Sequence, residues 1–385
     1  MKTWNSPWGD FELAREPYDR DPALQAWSAA DALLARHALE TPEKKDTPYV
    51  VFNDAFGALT VVLRSQGRYV IQVSDSALSQ RCTLVNLDAN NLDNAPLQLL
   101  DSLTVPVLKP ESPPPVVLLR LPKTLALLEY QLHQVRQFAP LGTVVAASAM
   151  AKDIHTSTLE TFEALLGPTT SSLAESKARL ILSTLTDQAV AKNPYPTQWH
   201  LPSLHLHLVN HAAVFSREGL DEGTRLLLQH FPKIGPEIRT LVDLGCGNGI
   251  LGLVAAQRSG RIEIFCVDES FMATCSARDS FRASEMGGRA QFLTGDGLED
   301  FEAQSVDLIL CNPPFHFQNA QSLEAAYSMF DDAKRVLRPG GELWVVANRH
   351  LGHHKALAER FPQVRTAALT DKFIVLRAVM AISPE

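Results

Sequence analysis

The chain has 385 residues, 45% hydrophobic and 20% charged, with a formal net charge of −8. That length exceeds one ordinary core and predicts two or three domains, and the acidic balance excludes a protein that coats nucleic acid without specificity. Lys and Arg number 17 against 21 Asp and Glu over residues 1–200 and 18 against 22 beyond, so any nucleic-acid contact must come from a local patch.

In chain order, Asp21-Pro22 predicts a helix N-terminus, with a capping carboxylate and a first-turn proline ahead of ALQAWSAADALLARHAL. PYVVFNDAFGAL reads as a strand entering a turn, and RYVIQVSD, PVVLLRLPK and GTVVAASA read as further strands with helices or loops between them. KPESPPP, residues 109–115, is a loop by composition. Strands alternating with helices predict a parallel, doubly wound sheet. A boundary is expected within TDQAVAKNPYPTQ, giving domains over residues 1–190 and 200–385.

The second half repeats the order of the first. Asn53 and Arg120 are 67 positions apart, and Asp243 and Asn312 are 69 apart, which suggests duplication of one domain. Pairing FNDAFGAL with VDLGCGNG sets Ala55, Gly57 and Leu59 against Gly245, Gly247 and Gly249, so the first copy reads as degenerate. Arg120-Leu121-Pro122-Lys123 stands where the second copy has Asn312-Pro313-Pro314-Phe315. The first copy is expected to position RNA, with Arg120, Lys123, Lys152, Lys177 and Arg179 against phosphates; ordinary solvated surface is the competing reading.

In the second half, TLVDLGCGNGILGLVAA predicts a strand ending at Asp243, a glycine turn and a helix starting near Asn248. Such a turn lets backbone N–H groups and a helix N-terminus approach an anionic ligand. Gly247 to Gly252 formally satisfies the dinucleotide pattern G-x-G-x-x-G, but the acid just before the loop favours S-adenosylmethionine. Asp243 can accept from its amino group, Asp268 from both ribose hydroxyls and Asp296 from the adenine amino group. Gly245, Gly247, Asn248 and Gly249 form the cradle. Phe215 is a candidate lid on the bound nucleoside, with core packing as its alternative, and Thr224, near a helix start, and Asn312 are read as further cofactor contacts. Acids or an amide at four successive strand ends place one ligand across the switch point of a parallel sheet.

The fourth strand, VDLILC, stops at Asn312-Pro313-Pro314-Phe315, since proline cannot donate to a ladder. An exocyclic amino group is a poor nucleophile until acceptors take its hydrogens. The Asn312 amide oxygen and the Pro313 carbonyl can do that, and Phe315 can stack on the base. The five cysteines lack C-x-x-C spacing and read as reduced thiols. Arg349, His350, His353 and His354 read as RNA-facing surface rather than a metal site, and no metal is expected. No signal pattern or membrane-length apolar run is present, which predicts a cytoplasmic protein without a membrane partner.

LQAWSAAD, NDAFGAL, PKTLALLE, KDIHTSTLETFEALLGPTT, VFSREGLDEGTR, VDLGCGNG and CNPPFHFQ together resemble the RsmC/RlmG family of ribosomal RNA (guanine-N2)-methyltransferases, and the motifs of the first half favour its large-subunit branch. The resemblance implies two tandem class I methyltransferase-like (Rossmann-like) domains, the first degenerate. It also implies S-adenosylmethionine as cofactor and methylation of guanosine-1835 in 23S rRNA, free or partly assembled, with no protein partner. The alternatives are a small-subunit enzyme of RsmC type and a nucleic-acid binding module with an inactive pocket. N-P-P-F also serves adenine N6 and glutamine N5 methylation, and the tetrapeptide does not choose between them.

Overall fold

The structure is a computed structural model that describes residues 1–15, 24–42, 44–313 and 320–382. The chain divides into two compact units, Met1–Pro194 and Tyr195–Glu385.

The first unit opens with an antiparallel hairpin, β1 (Lys2–Ser6) and β2 (Gly9–Leu13), which the sequence reading did not anticipate. Asp21 and Pro22 lie outside the described residues, and helix α1 runs Ala29–Glu40 behind a capping box of Ser28 and Asp31. Leu24 to Ser28 are not helical, so the helix begins later than expected, where a hydroxyl and a carboxylate can cap its orphan amides. There follow β3 (Pro48–Phe52), α2 (Ala58–Ser65), β4 (Tyr69–Ser74), α3 (Ala77–Ala89), β5 (Leu97–Asp101), β6 (Val116–Arg120), α4 (Leu125–Phe138), β7 (Val144–Met150), α5 (Thr156–Leu165), β8 (Thr169–Ser171) and β9 (Ala178–Thr184). Their sheet order is β5-β4-β3-β6-β7-β9-β8.

The second unit begins with an antiparallel pair, β10 (Thr197–Leu201) and β11 (Leu206–Asn210), then α6 (Glu222–Gln229). It continues through β12 (Thr240–Leu244), α7 (Ile250–Arg258), β13 (Glu263–Asp268), α8 (Phe271–Ala283), β14 (Gln291–Thr294), β15 (Val306–Cys311), α9 (Ala320–Val336), β16 (Leu337–Asn348), α10 (His353–Ala358), β17 (Gln363–Leu369) and β18 (Phe373–Val379). The order is β14-β13-β12-β15-β16-β18-β17, the same as in the first unit, with only the last two strands antiparallel to their neighbours. Each unit is therefore a seven-stranded Rossmann-like α/β sheet.

The central strands are buried on both faces, which explains their unbroken apolar runs. Alternate residues serve opposite cores. Leu241, Leu308 and Leu310 pack with α6, α7 and α8, while Val242, Leu244, Ile309 and Cys311 pack with α9 and α10. In the first unit Tyr49, Val51 and Leu118 face α1 and α2, while Val50, Phe52, Val117 and Leu119 face α4 and α5. None of the described helices is long and apolar enough to cross a membrane.

The duplication holds, but its register shifts by two residues. Gly57 and Gly249 both cap their helices in the left-handed region, at φ +76 and +78. An added Cβ on either would strike the seventh residue of the following helix, Thr83 or Ala277. Gly57 therefore matches Gly249, Ala55 matches Gly247, and Asn53, at φ 62, matches Gly245, at φ 71. Val51 then stands opposite Asp243. Counted from these partners, Arg120 and Asn312 each lie 69 residues downstream. The glycine count misled the sequence reading because Asn53 adopts the left-handed conformation itself, which asparagine tolerates better than most residues.

Candidate active site

The carboxyl edge of the second sheet carries the site. After β12 the backbone turns through Gly245, Gly247 and Gly249, at φ 71, 54 and 78. The Gly245 N–H donates to the Val267 carbonyl at 2.8 Å and the Gly247 N–H to Asp268 Oδ2 at 3.0 Å, which bends the loop over the end of β13. The glycines serve different ends. A Cβ at Gly249 would lie 2.8 Å from that of Ala277, so this glycine lets α7 close on α8, whereas at Gly247 nothing lies within 4 Å. Gly249→Ala is expected to lose about 2–4 kcal/mol of stability from the clash plus the left-handed strain, and Gly247→Ala about 1 kcal/mol. The methyl of Gly247→Ala would enter the space beside the loop, so that variant should lose cofactor affinity instead. Urea unfolding and S-adenosylmethionine titration separate the two; matching losses in both assays would contradict the division.

Asp243 is 1% exposed, and its Oδ2 accepts the Gly252 N–H at 2.9 Å. Its Oδ1 is buried and accepts nothing. Burial pushes its pKa up to about 8, with Asp268 adding to the rise and the Gly252 bond opposing it. A buried carboxyl oxygen without a donor is where an ammonium group would be favourable. Asp268 ends β13, its Oδ1 accepting Ser270 N–H at 3.0 Å and its Oδ2 Gly247 N–H; burial raises its pKa against those bonds. Asp296 lies half-buried in the turn two residues past the end of β14.

Asn312 follows β15 directly, and its backbone carbonyl lies 3.7 Å from where a Cβ on Gly245 would stand. Its Nδ2 donates to Thr224 Oγ1 at 2.7 Å, and its Oδ1 is buried without a partner. Thr224 is 4% exposed in the first turn of α6, where its N–H donates to the capping Asp221 Oδ1 at 2.9 Å. Pro313 is buried beside it; Pro314 and Phe315 lie outside the described residues. Phe215 is 50% exposed, so it is not a core residue. The side chain of Asn248 donates to Asn210 Oδ1 at 2.9 Å, tying the glycine loop to the end of β11. Asn210 and Asp221 were missed in the sequence, although a polar residue closing LHLVN and a D-x-x-T helix start are visible signals. An orphan carboxylate oxygen, an orphan amide oxygen and open space at Gly247 fit S-adenosylmethionine with an amino-bearing acceptor.

The same edge of the first unit carries different side chains. Asp54 Oδ2 accepts the Thr60 N–H at 2.7 Å, the counterpart of Gly252, and burial raises the Asp54 pKa to about 6. The main chain at Ala14 is held to Asn86, which also binds the Phe56 carbonyl, and Arg15 lies 5.0 Å over the Phe56 ring. Arg120 turns inward: its Nε lies 2.8 Å from Asp31, and its other nitrogens donate to the Ser148 carbonyl and Ser28 Oγ. Those bonds commit the guanidinium within the fold and explain why an arginine can occupy the position of Asn312. Lys123, Lys152 and Lys177 are exposed and Arg179 is half-buried; the Ala151 N–H donates to the Lys177 carbonyl at 2.7 Å, which brings the Lys152 and Lys177 loops together.

In the second unit Arg349 and His350 are exposed, but His353 is buried against Phe330 and Tyr327, and burial lowers its pKa to about 4. His353 is thus a neutral core residue, not RNA-facing surface. Elsewhere among the described residues His211, Cys275 and Asp279 bring ligand-type atoms within 4.8 Å of one another. Burial, then Asp279, raises the Cys275 thiol to about 11, and His211 Nε2 lies 3.3 Å from Asp279, so the trio links the residue after β11 to α8 by hydrogen bonds.

Two family models match the chain, an RLMG N-terminal domain over residues 1–187 and a methyltransferase small domain over residues 205–377. A relative from Streptomyces avermitilis, named ribosomal RNA large subunit methyltransferase G, is 45% identical over 380 residues, covering 97% of this chain and 98% of its own. One of the same name from Aeromonas hydrophila is 43% identical over 373 residues, covering 95% and 96%. A solved structure of a T. thermophilus 16S rRNA N2 methyltransferase (RsmC) in complex with AdoMet and guanosine aligns with a TM-score of 0.75 and 23% identity over 98% of this chain and 97% of that one. That likeness bears on the fold.

Proposed function

The chain belongs to the ribosomal RNA large subunit methyltransferase G family, and we propose that it methylates the exocyclic N2 of one guanine in 23S ribosomal RNA, guanosine-1835 by the family resemblance. The observation that carries this reading is the Asn312 amide, whose buried Oδ1 has no partner, next to a glycine loop lined by the equally unpartnered Asp243 Oδ1. S-adenosylmethionine supplies a methyl group already activated by its sulfonium. The protein has to align the acceptor, take its hydrogens and exclude water, and such positioning can supply about 7–11 kcal/mol of a barrier. Asn312 Oδ1 would accept a hydrogen bond from one N–H of the guanine amino group and the Pro313 carbonyl from the other, leaving the nitrogen lone pair free; as the nitrogen–methyl bond forms the methyl–sulfur bond breaks to a neutral thioether, and the proton shed by the alkylated nitrogen passes to water. Asp243 would pair with the cofactor ammonium, and Asp268 and Asp296 would hold its ribose and adenine. Because the amino group sits inside a base-paired stack, the target must be unstacked, which favours a loosely structured RNA.

The first unit holds RNA through Lys123, Lys152, Lys177 and Arg179, and Arg349 is a separate RNA contact on the second unit. Lys152→Glu with Lys177→Glu is expected to weaken RNA binding and to flatten its salt dependence by roughly 2 units of slope, about one per lost phosphate contact. Unchanged affinity at several salt concentrations would remove that role. The activity itself is tested with tritiated S-adenosylmethionine and three cytoplasmic substrates from a strain lacking the gene: free 23S rRNA, immature large subunits and small subunits. Label mapped to N2 of one 23S guanine supports the reading, and label in 16S rRNA or in none overturns it.

A further inference from the structure

Taking methylation of an amino group as the premise, we infer that Thr224 is a positioning residue: its hydroxyl holds the Asn312 amide so that the oxygen, and not the NH2, meets the substrate. An amide is nearly symmetric in shape, so packing alone does not choose between its two orientations; hydrogen bonds do. Thr224 is almost fully buried, and its N–H is already spent on Asp221. What it offers Asn312 is the hydroxyl, which accepts from Nδ2 at 2.7 Å. The amide oxygen is left as the buried atom without a partner.

A hydroxyl can donate as well as accept, so the orientation belongs to the pair: with Oγ1 accepting from Nδ2, as the structure places it, an incoming amine finds the buried amide oxygen as its acceptor. The flipped amide would set two donors face to face. The observed arrangement welcomes an exocyclic amino group, whereas a carbonyl oxygen would require the amide and the hydroxyl to exchange roles. Thr224 thus makes a first-turn residue of α6 a specificity element, and its link to the cofactor is indirect.

The test combines kinetics with a readout that needs no substrate. Thr224→Val is expected to lower kcat roughly 10- to 100-fold, the loss of an acceptor for a buried NH2, with the KM for S-adenosylmethionine within about twofold. Thr224→Ser should restore kcat to within about threefold, because it keeps the hydroxyl. In the Asn312→Asp background the Val change should cost less than about threefold, since a carboxylate shows an oxygen whichever way it turns. The Asn312 NH2 resonances, identified by their disappearance in Asn312→Asp, should exchange slowly with water in wild type and Thr224→Ser and rapidly in Thr224→Val. Equal losses for Val and Ser, a cofactor KM that rises as kcat falls, or fast exchange in the wild type would overturn the assignment. If the exchange pattern holds but no RNA is methylated, the proposed activity fails and the amide-holding role of Thr224 stands.

Discussion

Asn312→Ala is expected to lower kcat about 10²–10³-fold while leaving S-adenosylmethionine affinity within roughly twofold, the effect of deleting one preorganised acceptor aimed at developing charge. The two ends of the amide differ: its NH2 donates to Thr224 Oγ1, and its oxygen is buried without a partner. Truncation removes the oxygen and leaves the Thr224 hydroxyl without that donor, a structural cost that falls on the first turn of α6. The methyl of alanine still seals the end of β15, whose residues Val306 to Cys311 are fully buried. Folding should therefore survive, and the deficit should appear in kcat rather than in unfolding temperature. Single-turnover transfer with saturating cofactor, set beside calorimetric cofactor binding, decides the matter. A variant that bound cofactor normally and kept full turnover would strip Asn312 of its role.

Much of this site was legible because its residues obey two local rules. Strands buried on both faces read as largely apolar runs, and a polar residue at or beside their carboxyl ends let Asp243, Asp268 and Asn312 be placed at that edge from the sequence alone. What was not legible depended on conformations that leave no compositional trace. The register between the two copies slipped because Asn53 takes a left-handed backbone usually left to glycine. The orientation of Arg120 was misjudged because its partner, Asp31, lies 89 residues away in sequence and supplies its carboxylate from α1. His353 sits in a run of basic residues, yet the helix that carries it turns it into the core against Phe330. Side-chain direction is fixed by tertiary packing, and a list of charges does not contain it.

The second large effect is expected at Asp243. Asp243→Asn should weaken S-adenosylmethionine binding roughly 10²- to 10⁴-fold, because the cofactor ammonium would then be buried without its counter-charge, a loss of about 3–5 kcal/mol when one member of a buried pair is removed. The pH dependence gives a sharper test than the magnitude. The carboxyl pKa rises from 3.8 to about 8 in the fold, so near neutral pH it holds a proton that must leave before an ammonium can be paired. Wild-type affinity should therefore increase as pH rises from about 6 to about 7.5, below the titration of an α-amino group, and binding should release protons to the buffer. Asp243→Asn should show much less of either effect.

Stability runs the other way. A carboxyl whose pKa is raised on folding favours the folded state below its unfolded value, and that advantage is lost as pH climbs through the folded value, here between about 4 and about 8. Free Asp243→Asn protein should thus gain on wild type with rising pH across that window. Asp268, whose pKa is also raised, contributes a similar slope to both proteins and largely cancels in the comparison. A stability difference that stays flat from pH 5 to pH 8, together with cofactor binding that takes up no pH dependence from Asp243, would show that this carboxyl is ionised throughout and that its orphan oxygen has another partner.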